Sequence, residues 1–199
     1  GVFARKPFSS LFSRKDARDS QRRKDTNDTL CLTCPAAHDR LVIPYVWFNG
    51  SIRPLDEAPV SPLSAGLLYG WGVFTTLGIA DGRARHIARH WSRLTAHAGR
   101  LGVPVDFALD EIEAGLAELV AAGGIVSGRA RITVARGAAG PWRDENARPS
   151  DLWMLAAALD SAARPPLNIT VSPHRVNSAS PLAGVKSTAY VSQLLTLDE

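Results

Sequence analysis

The sequence predicts an α/β chain: an α+β domain over residues 45–159, a linker at 160–166 and the start of a second α/β domain at 167–199. Three observations lead there. Segments rich in β-branched and aromatic residues are interleaved with two segments whose apolar residues recur at helical spacing. Each change of pattern falls at Gly, Pro, Asn-Gly or Asp-Gly. The stretch Asp160-Ser161-Ala162-Ala163-Arg164-Pro165-Pro166 has the composition of an interdomain connection.

Residues 1–40 read as a disordered basic arm. They hold nine Lys or Arg against five Asp, whereas the rest of the chain balances fourteen basic against fourteen acidic residues. All of the net charge of +4 therefore lies in the arm, which has no periodic apolar face to bury. The interspersed Asp residues argue against nucleic-acid binding and against a transit peptide.

Val46-Trp47-Phe48 before Asn49-Gly50 predicts a strand entering a tight turn, and Pro54, Pro59 and Pro62 an irregular connection. Gly66, Gly70 and Gly72 match neither phosphate-loop spacing and read as turn and close-packing glycines. Val73 to Ile79 predicts a strand, Asp81-Gly82 a hairpin turn and Arg83 to His86 the returning strand. Ile87, Trp91, Leu94, Ala98 and Leu101 mark a helix, with Arg89, Arg93 and His97 stacked on another side. Asp110 with Glu113 resembles a capping box for a second helix through Val120 that ends at Gly123-Gly124. Arg129 to Arg136 alternates, with Ala130, Ile132 and Val134 on one face, and Leu152 to Leu159 is apolar on both faces. Beyond the linker come a strand at Leu167–Ser172, a Pro-bearing loop, Lys186 and a helix from Thr188 onward.

Composition excludes several classes. No apolar run reaches the 18 residues of a membrane span. Two cysteines cannot make a disulfide-rich scaffold, and Cys31, Cys34 and His38 supply three zinc ligands where a structural site needs four, so no metal is expected. No signal-peptide pattern opens the sequence, which points to a reducing, cytoplasmic compartment. From Leu41 onward the fourteen basic residues are thirteen Arg and a single Lys, Lys186. Where Arg serves every ordinary positive charge, a surviving Lys is a candidate for chemistry that needs an amine able to lose its proton and condense with a carbonyl.

Trp47-Phe48-Asn49-Gly50, the run Gly66 to Thr76, Asp81-Gly82, His90-Trp91-Ser92-Arg93-Leu94 and Leu182-Ala183-Gly184-Val185-Lys186-Ser187 follow one another in the order found in class IV, or fold type IV, pyridoxal-phosphate enzymes. The chain thus resembles a family that includes branched-chain aminotransferases, D-amino-acid aminotransferases and aminodeoxychorismate lyases. The resemblance covers residues 45–199. It implies two α/β domains holding pyridoxal 5′-phosphate between them, a homodimer, small amino-acid and 2-oxo-acid substrates, and no nucleic acid or membrane partner. It also implies roles residue by residue. Lys186 matches the lysine that condenses with the cofactor and carries a proton, Arg93 the arginine that grips its phosphate, and Tyr190 a tyrosine near its ring. Phe74 and Thr76 fall in the substrate-facing motif, where Phe74-Thr75-Thr76 is lyase-like and branched-chain enzymes usually show Phe-Glu-Gly. Arg143, with Arg136 as the other choice, falls in the loop that supplies an arginine for the substrate carboxylate.

The resemblance implies amino transfer to a 2-oxo acid, with pyruvate-releasing lyase chemistry the close alternative. Relatives continue roughly a hundred residues past the point where this chain ends, so the sequence reads as a C-terminally truncated member, alternatively a non-catalytic fragment or remnant.

Overall fold

The computed structural model describes residues 42–159, 169 and 171–197, within one compact unit. The arm with Cys31, Cys34 and His38, the linker at 160–166 and half of the strand expected at 167–172 lie outside the described residues.

The two turn dipeptides organise the strands. β1 (Tyr45–Phe48) and β2 (Ser51–Pro54) are joined through Asn49 at φ 46° and Gly50 at φ 99°, the left-handed pair that a two-residue hairpin needs. The Asn49 side chain extends this turn into the sheet. Its Nδ2 donates to Asp151 Oδ1 at 2.8 Å, and its Oδ1 accepts the Leu152 N–H at 2.8 Å. β3 (Gly72–Ala80) and β4 (Arg83–Ala84) are joined in the same way through Asp81 and Gly82. The returning strand is shorter than the expected Arg83–His86, because the chain leaves the ladder after Arg85, whose N–H still donates to the Gly78 carbonyl at 2.9 Å, and turns left-handed at His86 (φ 55°) to enter a helix.

The glycine-rich segment holds a helix that was not expected, α1 (Ala65–Tyr69), closed by Gly70 at φ 63°. A side chain at Gly70 is excluded twice, by this backbone and by Ala189, whose Cα lies 3.0 Å from where a Cβ would stand.

α2 (Ile87–Arg100) buries Trp91, Leu94 and Ala98, and α3 (Leu109–Ala122) buries Ile112, Leu116, Leu119 and Val120. The start of α3 differs from the expected Asp110–Glu113 box. The helix begins at Leu109, and the carboxylate that reaches back is Glu111, which accepts the Ala108 N–H at 2.8 Å. Alanine has no oxygen to complete the box, so only half of the motif forms.

β5 (Gly128–Arg136) and β6 (Ser150–Ala158) pair along their whole length, and the sheet runs β2-β1-β6-β5-β3-β4, antiparallel throughout. Both long helices cover one face of it: α2 packs on β3, and α3 on β1, β2, β4 and β6. Val73, Leu77, Ala130, Ile132, Val134, Leu152 and Met154 point into that interface. Each fully buried aliphatic side chain contributes about 2 kcal/mol there. α4 (Val191–Leu197) starts three residues later than expected, because residues 185–188 run extended against the edge of β3.

Gly99 is an exposed residue in the last turn of α2, and a Cβ there meets nothing within 4 Å. Gly99→Ala is expected to stabilise the fold by about 1 kcal/mol through helix propensity alone. In thermal unfolding followed by circular dichroism this is a rise of about 3 °C.

Candidate active site

β3 alternates between two environments. Val73, Leu77 and Ile79 join the helix-covered core, and Thr75 is fully buried on that same face, while Phe74 and Thr76 occupy the other face. The edge of β3 near Gly72 has no strand partner of its own. The chain supplies one from far away: Ser187 bridges Val73, the Phe74 N–H donates to the Lys186 carbonyl at 3.1 Å, and the Thr188 N–H donates to the Gly72 carbonyl at 2.9 Å. Thr188 Oγ1 also donates to the Gly70 carbonyl at 2.7 Å. From α2, Arg100 Nη2 donates to the Ala183 carbonyl at 3.2 Å.

This docking brings Lys186 into a small cluster. Its Nζ stands 4.3 Å from the centroid of the Phe74 ring and 5.4 Å from that of Tyr190, and the two rings meet edge to face at 5.3 Å. Arg131, opposite Thr76 in the ladder, stacks its guanidinium 3.7 Å from the Phe74 centroid. Burial first, then the charges of Arg93 and Arg131, hold the Lys186 amine below the ordinary lysine value. The arrangement therefore favours the free amine, the form that attacks carbonyls.

Arg93 projects from α2 and is anchored from below. Its Nη2 donates to Thr75 Oγ1 at 2.8 Å, and Thr75 Oγ1 lies 2.8 Å from His90 Nδ1. A guanidinium only donates, so the threonine hydroxyl accepts from Arg93; Arg93 Nη2 also stands 3.4 Å from His90 Nδ1, an arrangement that suits a ring with its proton on Nε2, to which the Thr75 hydroxyl donates. Burial, then Arg93, His86 and Arg89, lowers the pKa of His90 and favours that neutral ring. Among the described residues, Thr75 and His90 thus leave the rest of the exposed Arg93 fork open to an anion.

The structure brings Lys186, Tyr190 and Phe74 together, with the charge of Arg93 acting on the amine. Thr76 lies beside them on the open face, lining a shallow groove with Arg129, Arg131 and Leu155. Arg143 is not brought in. It follows a 3-10 turn at Gly140–Trp142, is exposed, and makes no contact with the Lys186 cluster among the described residues. Arg136 is engaged elsewhere, stacked 4.8 Å over Trp71 and donating to the Gly102 carbonyl. Sequence reasoning missed Arg131 and Thr75. For Arg131 a signal existed: the alternation that sends Ala130 and Ile132 inward sends Arg131 outward, onto the face of Phe74.

The donor set fits pyridoxal phosphate: an amine of lowered proton affinity for an aldehyde, a tethered guanidinium for a phosphate, and two aromatic rings flanking the amine.

A family model described as amino-transferase class IV matches residues 72–199. A probable branched-chain-amino-acid aminotransferase of Rickettsia typhi is 34% identical over 68 residues, covering 34% of this chain and 24% of that protein. Among solved structures, 4-amino-4-deoxychorismate lyase from Pseudomonas aeruginosa superposes with a TM-score of 0.60 at 27% identity, covering 77% of this chain and 56% of that one. A branched-chain amino acid aminotransferase from T.th., solved with pyridoxamine 5′-phosphate, gives a TM-score of 0.54 at 26% identity, covering 60% of this chain and 41% of that one. The matched segment thus spans about a quarter of the curated relative and about half of the solved chains.

Proposed function

Because the chain belongs to the amino-transferase class IV family, whose members depend on pyridoxal phosphate, we propose that it acts in amino transfer between an amino acid and a 2-oxo acid, with Lys186 as the residue that binds the cofactor covalently. The observation that carries this reading is the placement of Lys186, the single lysine after the arm, with its amine against Phe74 and Tyr190 and its proton affinity lowered by burial, Arg93 and Arg131.

Pyridoxal phosphate, when bound, supplies an aldehyde and an electron-withdrawing ring. The chain's own residues do the rest. Lys186 offers a free amine at Nζ and afterwards holds and returns a proton at that atom. Arg93 grips the phosphate with the part of its fork that Thr75 does not use. Phe74 and Tyr190 keep water from the amine. Thr76 sets the polar wall of the groove on the substrate side. The active assembly is a homodimer, a reading supported by the exposed Leu67, Leu68, Tyr69 and Trp71 around α1. Sedimentation of the purified chain tests it. No helix among the described residues is long and apolar enough to cross a membrane.

A second reading is pyruvate-releasing lyase chemistry. It is favoured by Thr75, which tethers Arg93 where branched-chain enzymes carry glutamate, and by the likeness to the Pseudomonas lyase. The deciding experiment incubates the chain with pyridoxal phosphate, traps adducts with borohydride and maps peptides, with parallel assays of 2-oxo-acid amination and of pyruvate release from aminodeoxychorismate. The pyridoxyl group is expected on Lys186. Its appearance on Lys24 or another arm lysine overturns the reading, and retention without either turnover assigns the chain to the non-catalytic alternative.

Arg93→Ala is expected to weaken pyridoxal phosphate binding by about 1.5–3 kcal/mol, the scale of a charge-assisted hydrogen bond. Binding of pyridoxal, which lacks the phosphate, is expected to fall less, because it loses only the effect of Arg93 on the Lys186 amine; fluorescence titration of both ligands checks the pair.

A further inference from the structure

Lys186 is held through its backbone as much as through its side chain. Its carbonyl is fixed by Phe74, and its own N–H donates to Nδ1 of His97 on α2 at 3.1 Å, across 89 residues of sequence. An imidazole nitrogen accepts a hydrogen bond only when it carries no proton, so this contact requires a neutral His97 with its proton on Nε2. The ring is half-buried, and the charges acting on it are Arg93 and Arg100 of its own helix. Burial and these two cations hold the ring below the usual histidine value and so favour the accepting form.

We propose that His97 is the positioning residue for Lys186: its neutral imidazole fixes the main chain from which the reactive amine projects, and protonation of the ring releases that hold. The proposal rests on the reading of Lys186 given above. The other tethers of the segment do not pass through His97. Phe74 holds the Lys186 carbonyl, Thr188 holds Gly70 and Gly72, and Arg100 holds Ala183. Loss of the imidazole therefore leaves the segment docked and loosens it at the one peptide that aims the amine, without unfolding the domain.

The test uses the 199-residue chain without cofactor, followed by nuclear magnetic resonance as pH is lowered. The His97 ring nitrogens and the Lys186 amide proton are expected to titrate with one shared midpoint below the ordinary histidine value of 6.5. His97→Gln keeps an accepting oxygen that does not titrate, so the Lys186 amide is expected to stop responding to pH while borohydride-trapped labelling of Lys186 stays within about twofold of native. His97→Leu removes the acceptor and is expected to slow that labelling about tenfold. A Lys186 amide indifferent to the titration of His97 in the native chain overturns the proposal, as does labelling unchanged in His97→Leu. A shared titration together with a pyridoxyl group on a different lysine upholds the His97 bond and overturns the assigned role of Lys186 instead.

Discussion

Lys186→Ala is expected to reduce covalent capture of pyridoxal phosphate to background, read as loss of the visible absorbance band and of the borohydride-trapped pyridoxyl peptide. Lys186→Arg is expected to fail equally, because a guanidinium keeps its proton and does not condense with an aldehyde. Both variants should stay folded, since the segment is held by main-chain bonds of residues 186 and 188, to Phe74, Gly72 and the His97 ring, that need no lysine side chain. The pH dependence of native capture carries a sign that follows from the site. Burial, Arg93 and Arg131 lower the Lys186 amine from 10.5, so at any given pH below that value more of it is free amine than in an exposed lysine. Capture by Lys186 is therefore expected to persist to lower pH than capture by N-acetyl-lysine amide, to fade as pH falls through its lowered value, and to lose its advantage as pH rises past 10.5. Coincident acid limbs for the protein and the model amine would sink this account of the site.

Gly115→Val is expected to cost about 3 kcal/mol of stability, or roughly 6–12 °C in thermal midpoint. Gly115 lies buried in α3 where the helix crosses β1, and a Cβ there would stand 2.3 Å from Nε1 and 2.6 Å from Cε2 of Trp47. The indole cannot swing away. It is 3% exposed, its strand is paired on both sides to Ile52 and Met154, and its ring meets Phe107 edge to face at 5.6 Å. Replacing a mid-helix glycine gains about 0.5 kcal/mol of propensity, too little to offset the clash. Gly99→Ala on α2 is the matched control, in which propensity acts with no clash and the sign reverses. Equal midpoints for Gly115→Val and the native chain would contradict the packing of α3 on β1.

Much of the fold was legible because its signals are local. Asn49-Gly50 and Asp81-Gly82 need nothing beyond their own backbone to make hairpins, and the spacing of Trp91, Leu94 and Ala98 declares a helix face whatever it packs on. The errors lie where a distant partner decides. The returning strand after Gly82 ends early because His86 turns the chain into α2, and α4 starts late because β3 captures residues 185–188. α1 escaped notice because five residues carry too little periodicity to register, and it is fixed by packing on β5. In the candidate site, Lys186 stood out by composition alone. Thr75 and Arg131 did not, since their importance comes from what lies across a helix or a strand: Arg93 and His90 for the one, Phe74 for the other.

The closing of the β3 edge by residues 186–188 also sets an order of events in time. Every strand of the sheet, and both helices that cover it, precede Lys186 in the chain, and the bonds that seat the lysine segment span 89 and 118 residues. On a growing chain the scaffold is synthesised first and can fold while the lysine segment is still being made. Contacts of such long separation form late, after the loop-closure entropy has been met by the sheet itself. The seat of Lys186 is thus assembled after the sheet, against a surface already in place. The same topology makes it the first part to open: with few buried side chains of its own, the segment can peel from β3 without disturbing β5 or β6. Amide hydrogens at Lys186 and Thr188 should then exchange well before those of Ile132 and Met154, so that the lysine can come and go on a scaffold that stays folded throughout.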